Sequence, residues 1–253
     1  MASLKSILMS FFALAPLVAG HGAIIAATGD AGGAGMALGI DPSTPRTGSK
    51  RNPFQVDTTR FRGQAAKTVG QTIQGGANKV EEGTQAIMAA TKDSLPQVTA
   101  GGTVKMTLHQ INQDGAGPYS CMINSDGQAT EWTAIKVATN VPGVFGLSRT
   151  TTTDFPLVAS IPADQKCTGT VAGQNNVCLV RCQNPIAFGG VVPVQMAGGA
   201  GAGTGGGNTD TTTPVTNATS ATKASKRPLA RRYFAKRSDI EKDSVEDVEQ
   251  WQH

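Results

Sequence analysis

Val104, Met106 and Leu108 alternate with Thr103, Lys105, Thr107 and His109, the period of two expected of a strand with one buried face. Further short apolar runs follow at Cys121-Met122-Ile123, Trp132 to Val137, Leu157 to Ile161, Val177 to Cys182 and Val191 to Met196. Asp114-Gly115, Asp126-Gly127 and Pro142-Gly143 punctuate them as turns. Residues 22–28 also read as a strand, too apolar on both faces to be an exposed edge. Short strands at this spacing predict a mostly β fold, an immunoglobulin-like β-sandwich spanning residues 21–196. The period changes to that of a helix once, over 77–92. There Val80, Thr84, Ile87, Met88 and Thr91 share a face, with Asn78 as a candidate cap and Glu81 and Glu82 in the first turn. Gly83 is the weak helix former in this small insertion.

Neither period holds elsewhere. Residues 1–20 read as a secretory signal peptide: Lys5, an apolar run from Ile7 to Val18, then small residues at Val18-Ala19-Gly20. Cleavage after Gly20 would make His21 the first residue of the mature chain. Gly29 to Gly35 reads as a flexible glycine loop, without the Gly-Lys-Ser/Thr ending that a phosphate cradle needs. Residues 41–63 form a long loop broken by Pro42, Pro45 and Pro53. Such a loop is either functional or a surface crossing pinned by Arg–Asp pairs. From 197 the composition shifts to a Gly/Thr/Ser-rich linker (197–226) carrying a glycosylation sequon at Asn217. A charged tail (227–253), expected to be disordered, follows. The pairs Lys226-Arg227, Arg231-Arg232 and Lys236-Arg237 are either processing sites or part of that charged tail.

Composition narrows the function classes. The net charge is +4, and no dense basic patch interleaved with aromatics suggests nucleic acid. No mature segment is long and apolar enough to predict a membrane span. The four cysteines, Cys121, Cys167, Cys178 and Cys182, stand behind a leader and read as two disulfides. Cys178 and Cys182 lie along one expected strand, about 13 Å apart, too far to bridge. Of the two remaining pairings, Cys167–Cys178 across a Gly-containing hairpin with Cys121–Cys182 is preferred; a zinc site is the rival.

The chemistry-bearing candidates are few. Of three histidines, His253 ends the tail, leaving His21 and His109. A terminal amine and two imidazoles offer three nitrogens, a tetragonal set that suits Cu(II). Tyr119 and Phe188 are candidates for an axial position, and Gln110, Gln113 or Gln183 for orienting ligands. A surface or hydrogen-bonded strand histidine is the plainer reading of His109. No Gly-x-Ser-x-Gly elbow is present, and Asp30, Asp57, Asp114 and Asp126 read as turn formers before they read as a glycosidase pair.

Several blocks together resemble one fungal family. They include His21-Gly22-Ala23-Ile24, Met36 to Asp41, Arg51-Asn52-Pro53-Phe54-Gln55, Asp57 to Phe61 and Gly83 to Met88. His109 to Tyr119 and Cys178 to Asn184 complete the set. The chain is similar to the appressorium-specific virulence factors of pathogenic fungi, whose homologues are associated with powdery-mildew haustoria. The resemblance implies a role in host penetration with no settled activity. The leader implies a secreted protein, with retention in the infection-cell cytoplasm as the alternative, and the chain is expected to be a monomer facing a cell-wall polysaccharide or host surface component. Family members carry cysteines where this chain has Val69 and Val191. A looser resemblance, in the mature histidine and the Gly-Ala-Gly-Pro-Tyr turn, is to lytic polysaccharide monooxygenases. It would make His21 and His109 a copper brace on a polysaccharide oxidase.

Overall fold

The computed structural model describes residues 21–49, 52–92 and 94–198. The expected leader, nearly all of the linker, Asn217, the dibasic pairs and the charged tail lie outside them. The chain opens with β1 (Gly22–Gly29) and β2 (Gly32–Gly35), then the short β3 (Thr59–Arg60), β4 (Gln71–Thr72) and β5 (Gly76–Ala77). Helix α1 (Val80–Ala90) precedes β6 (Gln97–Val98), β7 (Thr103–Gln110), β8 (Ser120–Asn124), β9 (Thr133–Ile135) and β10 (Val137–Thr139). The last strands are β11 (Thr153–Ser160), β12 (Gly169–Val171), β13 (Gln174–Gln183) and β14 (Phe188–Met196).

These form two sheets around one apolar core, the expected sandwich. The first has the order β10-β11-β7-β1-β2, and the second β5-β4-β3-β14-β13-β8-β9, with β12 on β13 and β6 on β14. β1 lies inside its sheet between β7 and β2, as its apolar sequence requires. Ile24 of β1 faces Gly190 of β14, where an added Cβ would lie 3.5 Å from the Ile24 Cδ1, and Leu38 N–H donates to Val191 O at 2.8 Å. β13 and β14 are buried on both faces, because the segment from Phe61 to Val69 covers their outer side. Arg181 holds it there: the guanidinium donates to Ala66 O at 2.7 Å and Thr68 O at 3.1 Å and lies 3.9 Å over the Phe61 ring. Val69 and Val191 are both core residues. The disulfides are Cys121–Cys182 and Cys167–Cys178.

Three expectations need correction, and for the long loop the Arg–Asp pinning is found. The glycine segment is no flexible loop but the β1–β2 hairpin, with Gly32 and Gly33 at φ of +95° and +69° making the turn. Trp132 to Val137 is not one strand: Ile135 pairs with Cys121 in one sheet and Val137 with Ala159 in the other, so the chain changes sheets at Lys136. The long loop contains β3, and its crossing is pinned by Arg46, which grips the buried Asp57 through both guanidinium nitrogens at 3.0 and 2.5 Å. Finally, α1 is shorter than 77–92 and Asn78 does not cap it. The Asn78 amide instead donates to Thr59 Oγ1 and Val69 O. Gly83 has a packing reason, since a Cβ there would sit 2.8 Å from Leu38 Cδ2. Fully burying Leu38 is worth roughly 1.5–3 kcal/mol, against about 1 kcal/mol of helix propensity lost.

Candidate functional site

The end of the sandwich where β1 begins collects most of the candidate residues. β7 runs antiparallel to β1 with Ala23 opposite His109 and Gly22 opposite Gln110. The ladder reaches His21, whose carbonyl accepts from Ile111 N–H at 2.8 Å. His21 and His109 therefore stand on neighbouring strands, close in register, and both are buried.

Their rings meet different neighbours. The His21 ring stacks on Phe188, the centroids 5.7 Å apart, and its Nδ1 accepts from the Asn112 amide at a long 3.3 Å. Asn112 also donates to Gln55 Oε1 at 3.2 Å, which ties the long loop to this end. His109 Nδ1 lies 2.6 Å from Asp154 Oδ1, across the β7–β11 pairing. With the carboxylate accepting from Nδ1–H, the lone pair of a neutral imidazole is on Nε2. A carboxylate-held imidazole is the arrangement by which proteins orient a metal-binding histidine. Among the described residues no three His, Cys, Asp or Glu side chains come together as a metal cluster. The side chains fit a copper brace only in part, and the missing donor would have to be the His21 α-amine.

The other candidates divide. Phe188 joins His21. The Tyr119 hydroxyl is buried and donates to Gly115 O at 2.9 Å; burial and the Asp114 charge beside it push its pKa well above the phenol range. The Gln183 side chain is the acceptor for Arg181 Nε at 3.1 Å and for Nη2. Gln110, fully buried, donates to Ser148 Oγ at 2.8 Å and Thr150 O at 2.6 Å. Gln113 contributes its backbone carbonyl, which accepts from Ser148 N–H.

Two residues were not singled out in sequence, and a third was read only as a turn former. Asp154 and Asn112 gain their positions from strand pairing, which no local pattern reveals. Asp114 looks like an ordinary Asp-Gly turn residue, yet it is 1% exposed. Burial pushes its pKa up to about 6, against the opposing pull of its own N–H and that of His21. Beside this end, Val144, Phe145 and Leu147 form an apolar tip, with Phe145 76% exposed. The tip is fixed by Gly146 N–H to Gly117 O at 2.9 Å and Ala116 N–H to Gly146 O at 3.2 Å.

Comparison with known proteins supplies the context for this end. Residues 19–191 match a family model described as Egh16-like virulence factor. The chain is 58% identical over 200 residues to the appressoria-specific virulence factor GAS1 of Pyricularia oryzae, covering 78% of this chain and 80% of that relative. It is 43% identical over 113 residues to the appressoria-specific virulence factor GAS2 of the same fungus, covering 42% of this chain and 39% of the relative.

Proposed function

We propose, because this chain belongs to the Egh16-like virulence-factor family, that it is an exported virulence factor of the fungal appressorium, acting on cell-wall polysaccharide during host penetration. The observation that carries the reading is the 58% identity over 200 residues to a protein named for that structure. The apolar tip at Val144, Phe145 and Leu147 supports a binding role, since an exposed aromatic offers a flat apolar face to a sugar ring. A gene-deletion strain that infects its host as well as its parent would overturn the virulence role.

The chemistry of this reading lies at His21 and His109. With the leader removed, the His21 α-amine and Nδ1 can chelate one ion, and His109 Nε2 is a third nitrogen. That set suits Cu(II), which when bound supplies one-electron chemistry. The chain's own contributions are positional. Asp154 fixes the His109 tautomer, Phe188 covers one face of the His21 ring, and Asn112 holds Nδ1 by a bond long enough to be displaced. Sequencing the N-terminus of the exported protein tests the premise, because one residue ahead of His21 removes the chelating amine. Copper titration followed by electron paramagnetic resonance tests binding. His109→Ala is expected to lower copper affinity at least about tenfold, and unchanged affinity would remove His109 from the site. Incubation with a reductant and glucans, chitin or pectin, with products read by mass spectrometry, separates a polysaccharide oxidase from a binding protein.

A further inference from the structure

The apolar tip beside the His21 end strains the backbone that carries it. Val144 and Leu147 exchange both backbone N–H bonds, at 2.9 and 3.0 Å. Phe145 and Gly146 are therefore the central pair of a tight turn, at φ of +51° and +83°. Such a turn favours asparagine, aspartate or glycine at its first central position, and a bulky aromatic in the left-handed region is rare. Phe145, Val144 and Leu147 are 76%, 68% and 50% exposed, and none of them belongs to the core. A strained turn that holds three apolar side chains in water points to a contact outside the domain.

The tip leans on the turn between β13 and β14. A Cβ on Gly146 would sit 2.8 Å from Ile186 Cγ1 and 3.2 Å from Asn184 Nδ2. The other side of the same turn carries cations. Ala187 O accepts from Phe61 N–H at 2.9 Å, and Arg60 and Arg62 flank Phe61. Arg60 stands opposite Phe188 in the β3–β14 register. The exposed Arg62 holds its guanidinium 5.9 Å over the Phe188 ring, the ring on which His21 stacks. None of the described ion pairs includes Arg60, Arg62 or the exposed Arg149 that follows the tip. Arg60 Nε is buried with no hydrogen-bond partner among the described residues. Asp57 is taken by Arg46, Asp154 by His109, and Asp114 is buried. One face thus runs from an apolar end to a cationic end whose guanidiniums have no carboxylate among the described residues.

We propose that this face takes a polyuronate, a cell-wall polysaccharide with a carboxylate on each sugar. The apolar faces of its rings lie on Phe145 and Leu147, and its carboxylates meet Arg60 and Arg62. This rests on the polysaccharide reading above, whose substrate class it names, and not on copper. A guanidinium pairs with a planar carboxylate through two parallel N–H donors, whereas an uncharged glucan or chitin leaves those donors to water. Arg62 lies across the β13–β14 turn from the tip, which suits an extended chain crossing that turn rather than a lipid surface seated on the tip alone.

The test is titration calorimetry of the exported chain, with chelator in every sample to keep metals out. The ligands are polygalacturonate fragments, the same fragments methyl-esterified, and glucan and chitin fragments of equal length. The free-acid fragments are expected to bind at least about tenfold tighter than the ester. That comparison needs no variant, so it stands even where a substitution impairs folding. Arg62→Gln and Phe145→Ala should each weaken binding of the acid at least about fivefold. Lys105→Gln, which removes an exposed charge elsewhere on β7, should leave it unchanged. Equal affinity for acid and ester, or equal effects of Arg62→Gln and Lys105→Gln, overturns the polyuronate site. Binding to glucan or chitin alone also overturns it and keeps the polysaccharide reading. Binding to none of the four, or only to phosphatidylserine–phosphatidylcholine vesicles in a sedimentation assay, sinks both.

Discussion

Replacing Arg181 by Met measures what holds the segment from Phe61 to Val69 on the outer face of β13. Met preserves an unbranched apolar stem and removes the guanidinium. The losses that bear on the segment are two bonds to its carbonyls, at 2.7 and 3.1 Å, worth about 1.5–3 kcal/mol each for a charged donor; the bonds to the half-buried Gln183 side chain are replaced by water. The stacking on Phe61 at 3.9 Å, with Trp132 at 5.7 Å on the guanidinium, adds about 1–2 kcal/mol. Against this, burial has pushed the Arg181 pKa down to about 10, so about 3 kcal/mol of desolvation is recovered on substitution. The balance is a loss of about 1–5 kcal/mol, centred near 3. For a domain of this size that lowers Tm by roughly 6–12 °C. Circular dichroism during heating reads the shift. Trypsin reads its location, since Lys67 should be cut faster, and the emission of Trp132, whose indole N–H donates to Lys67 O at 3.0 Å, should move with it. A variant that melts within about 1 °C of the parent and resists trypsin equally would refute the reasoning.

Three further outcomes follow from the same structure. In a chain that still carries residues ahead of His21, Asp114 keeps its raised pKa of about 6. Between 3.8 and that value the native state retains a proton the unfolded state has released. The contribution is therefore full below pH 4 and lost above 6, a fall of up to about 3 kcal/mol in urea unfolding that Asp114→Asn should abolish. Gly22→Ala should destabilise by about 2 kcal/mol or more, because its Cβ meets the Gly115 carbonyl at 3.0 Å as well as the Tyr119 hydroxyl; an unchanged urea midpoint would show that this corner yields. Replacing Cys121 and Cys182 together by Ala should cost more than replacing Cys167 and Cys178. The closed segments span 61 and 11 residues, giving about 4 against 3 kcal/mol on chain entropy; the reverse order by chemical denaturation would refute that account.

The sandwich was legible in sequence where one face is wet and the other dry. The alternation of Val104, Met106 and Leu108 with Lys105 and Thr107 located β7, and the two-sided apolar run at residues 22–28 located an inner strand. Patterns failed where long-range contacts decide. Gly32 and Gly33 belong to a hairpin because β1 was already placed, and Lys136 separates two strands because the two sheets diverge there. Asn78 has the residue type of a helix cap, but Thr59 and Val69 claim its amide first. At the candidate site, sequence offered the two histidines and Phe188. It was silent on Asp154 and Asn112, whose positions come from strand register, and it read Asp114 as a turn former without its burial, which comes from the strand lying over its turn.

The placement of β1 has a bearing on how the chain is made. This strand is the first of the described elements to leave the ribosome, yet it is an interior member of its sheet and lies against β14, the last strand of the described domain. Its neighbour β7 is synthesised midway and the residues opposite Ile24 only near the end. A nascent chain with that order of contacts cannot close its core segment by segment. It stays open through most of its synthesis and closes when the final strand arrives.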